Sequence, residues 1–179
     1  MKKLTIVASL IAVFGTVGVA QAASTGTITF NGELTANTCD VSIDGQPTDA
    51  TVILPTVSTG TLDTANRTAG DTSFMMALTN CADSTQTASA FFQAGATVDA
   101  NGRLINTGTA SNVSLQLLDG SSSTQQPIKI GSQEQIMNTV YNGIAGGNVS
   151  LPYIVRYFAE GATTAGTVIS NVVYSIQYQ

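Results

Sequence analysis

Apolar residues recur at every second position over much of this chain, and that period constrains the fold more than any other feature. Phe74, Met76 and Leu78 show it, as do Val113, Leu115 and Leu117, and again Val172, Tyr174, Ile176 and Tyr178. A period of two places one set of side chains on one face of an extended backbone. Further β-prone apolar stretches occupy residues 51–54, 88–98, 127–130 and 151–158, and no long helix is expected. Asp44-Gly45, Asn101-Gly102, Asp119-Gly120 and Asn142-Gly143 read as turns between strands, and the Ser-rich run at 121–124 reads as a loop. Short strands at this spacing predict an all-β sandwich or barrel.

The start of the chain has a different character. Lys2 and Lys3 precede an apolar run over residues 4–20, and Ala20-Gln21-Ala22 gives the small-x-small pattern of a signal-peptidase site. Residues 1–22 therefore read as a secretory signal, with the mature chain beginning at Ala23. The run is shorter than a single-pass anchor and ends in a cleavage pattern, and no later segment resembles a membrane span. The length of the mature chain fits one domain.

Charge narrows the possible roles. With Lys2 and Lys3 gone, Arg67, Arg103, Lys129 and Arg156 face eleven acidic residues, a balance that excludes a basic nucleic-acid surface. Charged residues make up only 9% of the chain, and small polar residues take their place, a surface suited to stacking in an assembly. Histidine is absent, so neither a Ser-His nor a Cys-His nucleophile system can form. Paired acids such as Asp40 with Asp44, or Asp49 with Asp63, read as surface turn residues rather than an acid–base pair, and there is no phosphate-binding glycine loop. No catalytic, cofactor or metal site is expected. Sequons at Asn66, Asn112 and Asn148 read as chance matches in a Ser- and Thr-rich chain.

Cys39 and Cys81 are the two cysteines, and export into an oxidising compartment favours their pairing. The bridge would close a loop of about 40 residues, worth about 4 kcal/mol in lost loop entropy of the unfolded chain.

Both ends of the mature chain carry the two-residue period. Near the start, Ile28, Phe30, Gly32 and Leu34 alternate with Thr29, Asn31 and Glu33; near the finish, the alternation runs from Val168 to Tyr178. On periodicity alone these are two edge strands of an ordinary sandwich. A glycine within an apolar strand face suits a groove that is tight at one point.

The order of GTITFNGELTANTC (26–39), FMMALTNC (74–81), VSLQLLDG (113–120), LPYIVRYFAEG (151–161), AGTV (165–168) and the closing VVYSIQYQ (172–179) resembles the type 1 fimbrial major-subunit family of chaperone–usher pilins. The resemblance covers essentially the whole mature chain. It implies an incomplete immunoglobulin-like β-sandwich that lacks its final strand and is completed by donor-strand exchange, a mode of strand addition known for chaperone–pilin complexes. It also implies a signal peptide at 1–22, a donor-strand extension at 23–36 and a pilin domain at 37–179. The donor face would be Ile28, Phe30, Gly32 and Leu34. The groove edge and chaperone contact would be Gly166, Val172, Tyr174, Ile176, Tyr178 and the terminal Gln179. Implied partners are neighbouring subunits in a head-to-tail polymer, a periplasmic pilus chaperone and an outer-membrane usher, with the cell-surface fimbrium as destination.

The resemblance leaves two other roles open. A minor adaptor subunit of the same pilus would share both termini and the groove. A secreted β-sandwich carbohydrate-binding module is disfavoured, because Trp is absent and only five Tyr are present to stack on sugar.

Overall fold

The computed structural model describes residues 27–32, 39–82 and 86–179. The chain divides into two units, Met1–Thr35 and Ala36–Gln179. Of the first, only residues 27–32 are described; none lies in a strand, and Ile28 and Phe30 are 77% and 88% exposed. The signal segment 1–22 and Leu34 lie outside the described residues.

The second unit is built from strands, as the period of two requires. One antiparallel sheet contains β1 (Asp40–Ile43), β2 (Thr68–Thr79), β4 (Leu104–Ile105), β5 (Val113–Asp119) and β7 (Val149–Ala159), in the order β1-β2-β7-β5-β4. A second contains β3 (Thr87–Phe92), β6 (Asn142–Gly143) and β8 (Tyr174–Tyr178), in the order β6-β3-β8. Helix among the described residues is limited to a 3₁₀ turn at Thr59–Leu62 and one short helix, α1, at Glu134–Asn138.

The core is made by the faces the alternation marks. Met76 and Leu78 on β2 are fully buried and sit opposite Leu151 and Val149 on β7, while Leu117 on β5 sits opposite Val155. Phe92 of the small sheet meets Tyr153 of the large one edge-to-face, with ring centroids 5.1 Å apart, and Phe74 lies 5.8 Å from the same ring. Aromatic pairs prefer such tilted contacts, so Tyr153 joins the two layers by packing. It also joins them by polarity: its hydroxyl accepts a hydrogen bond from the Ala90 amide of β3 at 2.8 Å.

Turns follow local chemistry where backbone conformation demands it. Asp44 and Gly45 take φ of 49° and 74°, closing the chain after β1 with reciprocal backbone bonds between Ile43 and Gln46. At Gly102, φ is 76° and an added Cβ would meet the Ile130 amide nitrogen at 2.7 Å, so this turn requires glycine twice over.

Four segments depart from the sequence reading, one of them residues 127–130, which form no strand beyond a single bridge between Pro127 and Leu118. Asn142-Gly143, expected as a turn, is strand β6 and pairs with Thr87 and Ala88, a case of tertiary pairing overriding a local signal. The stretch at 88–98 ends as a strand at Phe92. Residues 51–54 belong to no ladder, although Val52 and Leu54 pack on the core and Ile53 is 83% exposed.

Candidate functional site

The register of β8 creates two different edges. Ser89 pairs with Gln177 and Phe91 with Ser175, and the Thr87–Gln179 pair exchanges both its backbone bonds, at 2.7 and 3.0 Å. Gln93 continues the series by donating to the Val173 carbonyl at 2.8 Å. Residues 173, 175, 177 and 179 thus spend their backbone groups on β3. In an antiparallel pair the intervening residues direct N–H and C=O the other way. Those residues are Tyr174, Ile176 and Tyr178, and β8 has no second neighbour strand among the described residues. Their side chains are half-buried against the core, together with Val168 and Val172. Apolar side chains and unpaired backbone are therefore offered along one line.

Before β8 the chain is held from the same side. Thr107 and Ala110 donate to the carbonyls of Ile169 and Thr167 at 2.8 and 3.0 Å, while Asn106 Oδ1 accepts from the Ile169 amide at 2.8 Å. Gly166 lies against this loop so closely that a Cβ would run into the Ala110 amide nitrogen and the Thr109 carbonyl carbon. Any other residue would push the segment off its support.

Residues 50–57 form the facing wall. Ala50, Val52 and Leu54 turn toward the core, and the Gln46 side-chain amide closes a pair of bonds with Thr51, at 3.1 and 3.2 Å. The Tyr174 hydroxyl crosses to this wall and donates to the Thr48 carbonyl at 3.0 Å. Burial, and secondarily the negative charge of Asp49, push the Tyr174 pKa up, so its hydroxyl stays a donor throughout the physiological range. At the Gly166 end the walls part around a cavity of about 680 Å³, with Thr56 and Val57 on one side, Val168 and Ile169 on the other, and Leu62 and Tyr157 lining it. The result is a partly apolar groove alongside an unpaired strand edge, open at one end.

Cys39 and Cys81 are disulfide-bonded, with sulfurs 2.07 Å apart. The bridge joins the residue before β1 to the end of β2. The acid pair suggested by spacing is used structurally: Asp44 accepts from the Met75 amide at 2.8 Å and Asp40 from the Asn80 side chain at 2.7 Å. No cluster of three or more potential metal ligands occurs among the described residues, and no described helix is long and apolar enough to cross a membrane.

Sequence reasoning missed the residues that close the opposite edge of the small sheet. Gln135 on α1 is buried and binds Phe92 of β3 as a strand would, accepting from its amide at 3.0 Å and donating to its carbonyl at 2.9 Å. Asp119, also buried, accepts from the Ser121 and Val140 amides at 2.9 and 2.7 Å, holding the chain that leads into β6. Gln135 lies in a helix of five residues, too short to show a period, and Asp119 is a polar residue closing β5 that reads as part of a turn, so no apolar pattern marks either one.

A two-layer sandwich with one wall missing and a strand edge exposed beside it is the fold of chaperone–usher pilus subunits. A subunit from a chaperone–usher pilus structure concerned with rod uncoiling matches it with a TM-score of 0.60 at 18% identity, covering 87% of this chain and 96% of that one. The sequence profile of the type-1 fimbrial protein, A, matches residues 54–179. The major fimbrial subunit SMF-1 of Stenotrophomonas maltophilia is 43% identical over 162 residues, spanning 87% of this chain and 94% of that protein. The F17 fimbrial protein of Escherichia coli is 37% identical, over 86% and 87% of the two chains. The chain belongs to the type-1 fimbrial protein family, a family of structural subunits rather than enzymes.

Proposed function

We propose that this chain is the major shaft subunit of a chaperone–usher fimbria and polymerises by inserting residues 23–36 of one copy into the groove of the next. The observation that carries the reading is β8, whose Tyr174, Ile176 and Tyr178 present half-buried apolar side chains and unpaired backbone along the same groove. The complement is the alternating face Ile28, Phe30, Gly32 and Leu34. Of these, Ile28, Phe30 and Gly32 are exposed.

The energetics support such a joint. Burying Ile28, Phe30 and Leu34 at about 1.5 to 3 kcal/mol each gives roughly 5 to 9 kcal/mol, and each backbone bond adds about 0.5 to 1.5 kcal/mol. Donating to one neighbour and accepting from the other makes a head-to-tail contact that does not close, and a filament on the cell surface results. A subunit with its groove empty exposes an aggregation-prone edge. That is the physical need for a periplasmic chaperone, with Gln179 and Gly166 at the two ends of the contact, and for an usher that releases the subunit only to the next arm.

Deleting residues 23–34 while keeping the signal is expected to leave an exported, folded subunit that forms no filament. Filaments of the truncated chain in electron micrographs would refute the reading. Mass spectrometry of sheared filaments separates the shaft from the adaptor role: this chain is expected to be the dominant species, and a trace amount would assign it to the adaptor.

A further inference from the structure

Three Asn-Gly pairs occur among the described residues, and the fold treats them differently. At Asn101-Gly102 the Gly102 amide donates to the Asp99 carbonyl at 3.1 Å and the Asn101 amide to the Asp99 carboxylate at 2.8 Å, so the turn is fixed. At Asn142-Gly143 the side-chain amide of Asn142 donates to Ser121 Oγ at 2.9 Å, and both residues are paired in β6. Asn31 and Gly32 are exposed, lie in no strand, and take no hydrogen bond among the described residues; an added Cβ on Gly32 would find nothing within 4 Å.

This contrast matters because an asparagine followed by glycine can attack itself. The Gly amide nitrogen adds to the Asn Cγ, the Cγ–Nδ2 bond breaks, and ammonia leaves with the proton, closing a succinimide ring. Water then opens the ring at either carbonyl, giving aspartate or isoaspartate. The reaction needs a mobile backbone, an unengaged amide and no Cβ on the following residue. Of the three pairs, Asn31-Gly32 alone lies outside any strand or hydrogen-bonded turn and has a side-chain amide with no partner among the described residues.

We infer that Asn31-Gly32 is a spontaneous modification site of the unassembled subunit, where deamidation to isoaspartate limits how long the arm stays competent. Isoaspartate routes the main chain through the side-chain carbon and adds a backbone atom. It would move Ile28 and Phe30 out of step with Gly32 and Leu34, and a shift in register is what an alternating face cannot tolerate. This consequence rests on the donor-arm reading; the chemistry at Asn31 does not. Once paired in a groove, the backbone would be held extended and the attack prevented.

The test is to age the exported chain at mildly alkaline pH as isolated subunits, as assembled filaments and unfolded in urea, and to map peptides for a mass gain of about 1 Da and for isoaspartate. In isolated subunits modification is expected to be several-fold faster at Asn31 than at Asn101 or Asn142, and in urea the three should converge. Equal or slower reaction at Asn31 in the isolated subunit would overturn the site. Modification at Asn31 at the same rate in filaments would uphold the site and overturn the donor-arm reading instead. Asn31→Gln, a change on the face opposite the donor residues, should block the reaction and keep aged subunits able to assemble. If aged wild-type subunits bearing isoaspartate at position 31 assemble as well as fresh ones, the limit on competence is overturned.

Discussion

The small sheet has two edges, and they are finished in opposite ways. On the β3 side the outward amides are taken up from within the chain: that of Ala88 by β6, that of Ala90 by the Tyr153 hydroxyl and that of Phe92 by the Gln135 side chain, while the Phe92 carbonyl accepts from Gln135 and the Gly131 amide. On the β8 side Tyr174, Ile176 and Tyr178 face a groove with no strand of this unit beside them among the described residues. A domain able to cap one edge with so short a strand as β6 and single side chains could have capped the other. The proposed assembly role of the open edge accounts for the difference, because an unpaired edge is otherwise a liability that proteins cover.

The largest expected effect is on filling the open edge. Gly32→Leu should arrest or strongly slow assembly, since a bulky side chain would stand where the arm's face is bare; unchanged kinetics with purified components would contradict a tight point in the groove. Next in size is the protection of single amides. Hydrogen exchange at Tyr174, Ile176 and Tyr178 is expected to be fast in the subunit and slowed by orders of magnitude in filaments, whereas Ser175 and Gln177 should be protected in both. Equal protection of odd and even positions in the subunit would show the two edges to be alike.

Breaking the closed edge should cost less, and should be felt in folding. Gln135→Ala leaves the Phe92 amide without a partner and its carbonyl with the Gly131 amide alone, and is expected to destabilise the subunit by about 1 to 3 kcal/mol in denaturant titrations. Tyr153→Phe orphans the Ala90 amide and should cost about 1 to 3 kcal/mol. It also carries a pH signature. Burial raises the Tyr153 pKa above its usual 10.0, so the folded state keeps a proton that the unfolded chain releases. That contribution is intact below the unfolded value and is lost as pH rises toward the folded one. Tyr153→Phe should therefore flatten part of the alkaline fall in stability, the remainder belonging to Tyr141, Tyr157 and Tyr174, whose pKa values are raised by burial as well.

The strand that carries the open edge was legible in the period of two, its reading as a groove edge came from the family resemblance, and the residues that close the other edge were marked by neither, for a physical reason. Tyr174, Ile176 and Tyr178 lie on a strand whose apolar residues repeat at every second position, so composition and spacing mark the strand directly, as they mark Met76, Leu78, Leu115 and Leu117 in the core. Val172 fell just outside the strand, although pairing begins at Val173. The closed edge depends on bonds between residues far apart in the chain, such as Gln135 with Phe92 and Tyr153 with Ala90, which no local pattern encodes. For the same reason Asn142-Gly143 looked like a turn: its role as a strand depends on Thr87 and Ala88, more than fifty residues earlier.

The bridge between Cys39 and Cys81 has a mechanical consequence if filaments are pulled end to end. Traction arriving along the chain at Cys39 meets a strand only four residues long, held to β2 by a short ladder. The covalent link passes the load to Cys81 as well, and so to the twelve-residue β2, which pairs with β7 along most of its length. The load is thus spread over a longer ladder than β1 offers alone, so under the proposed function the crosslink would let a short first strand anchor a subunit in a filament under tension.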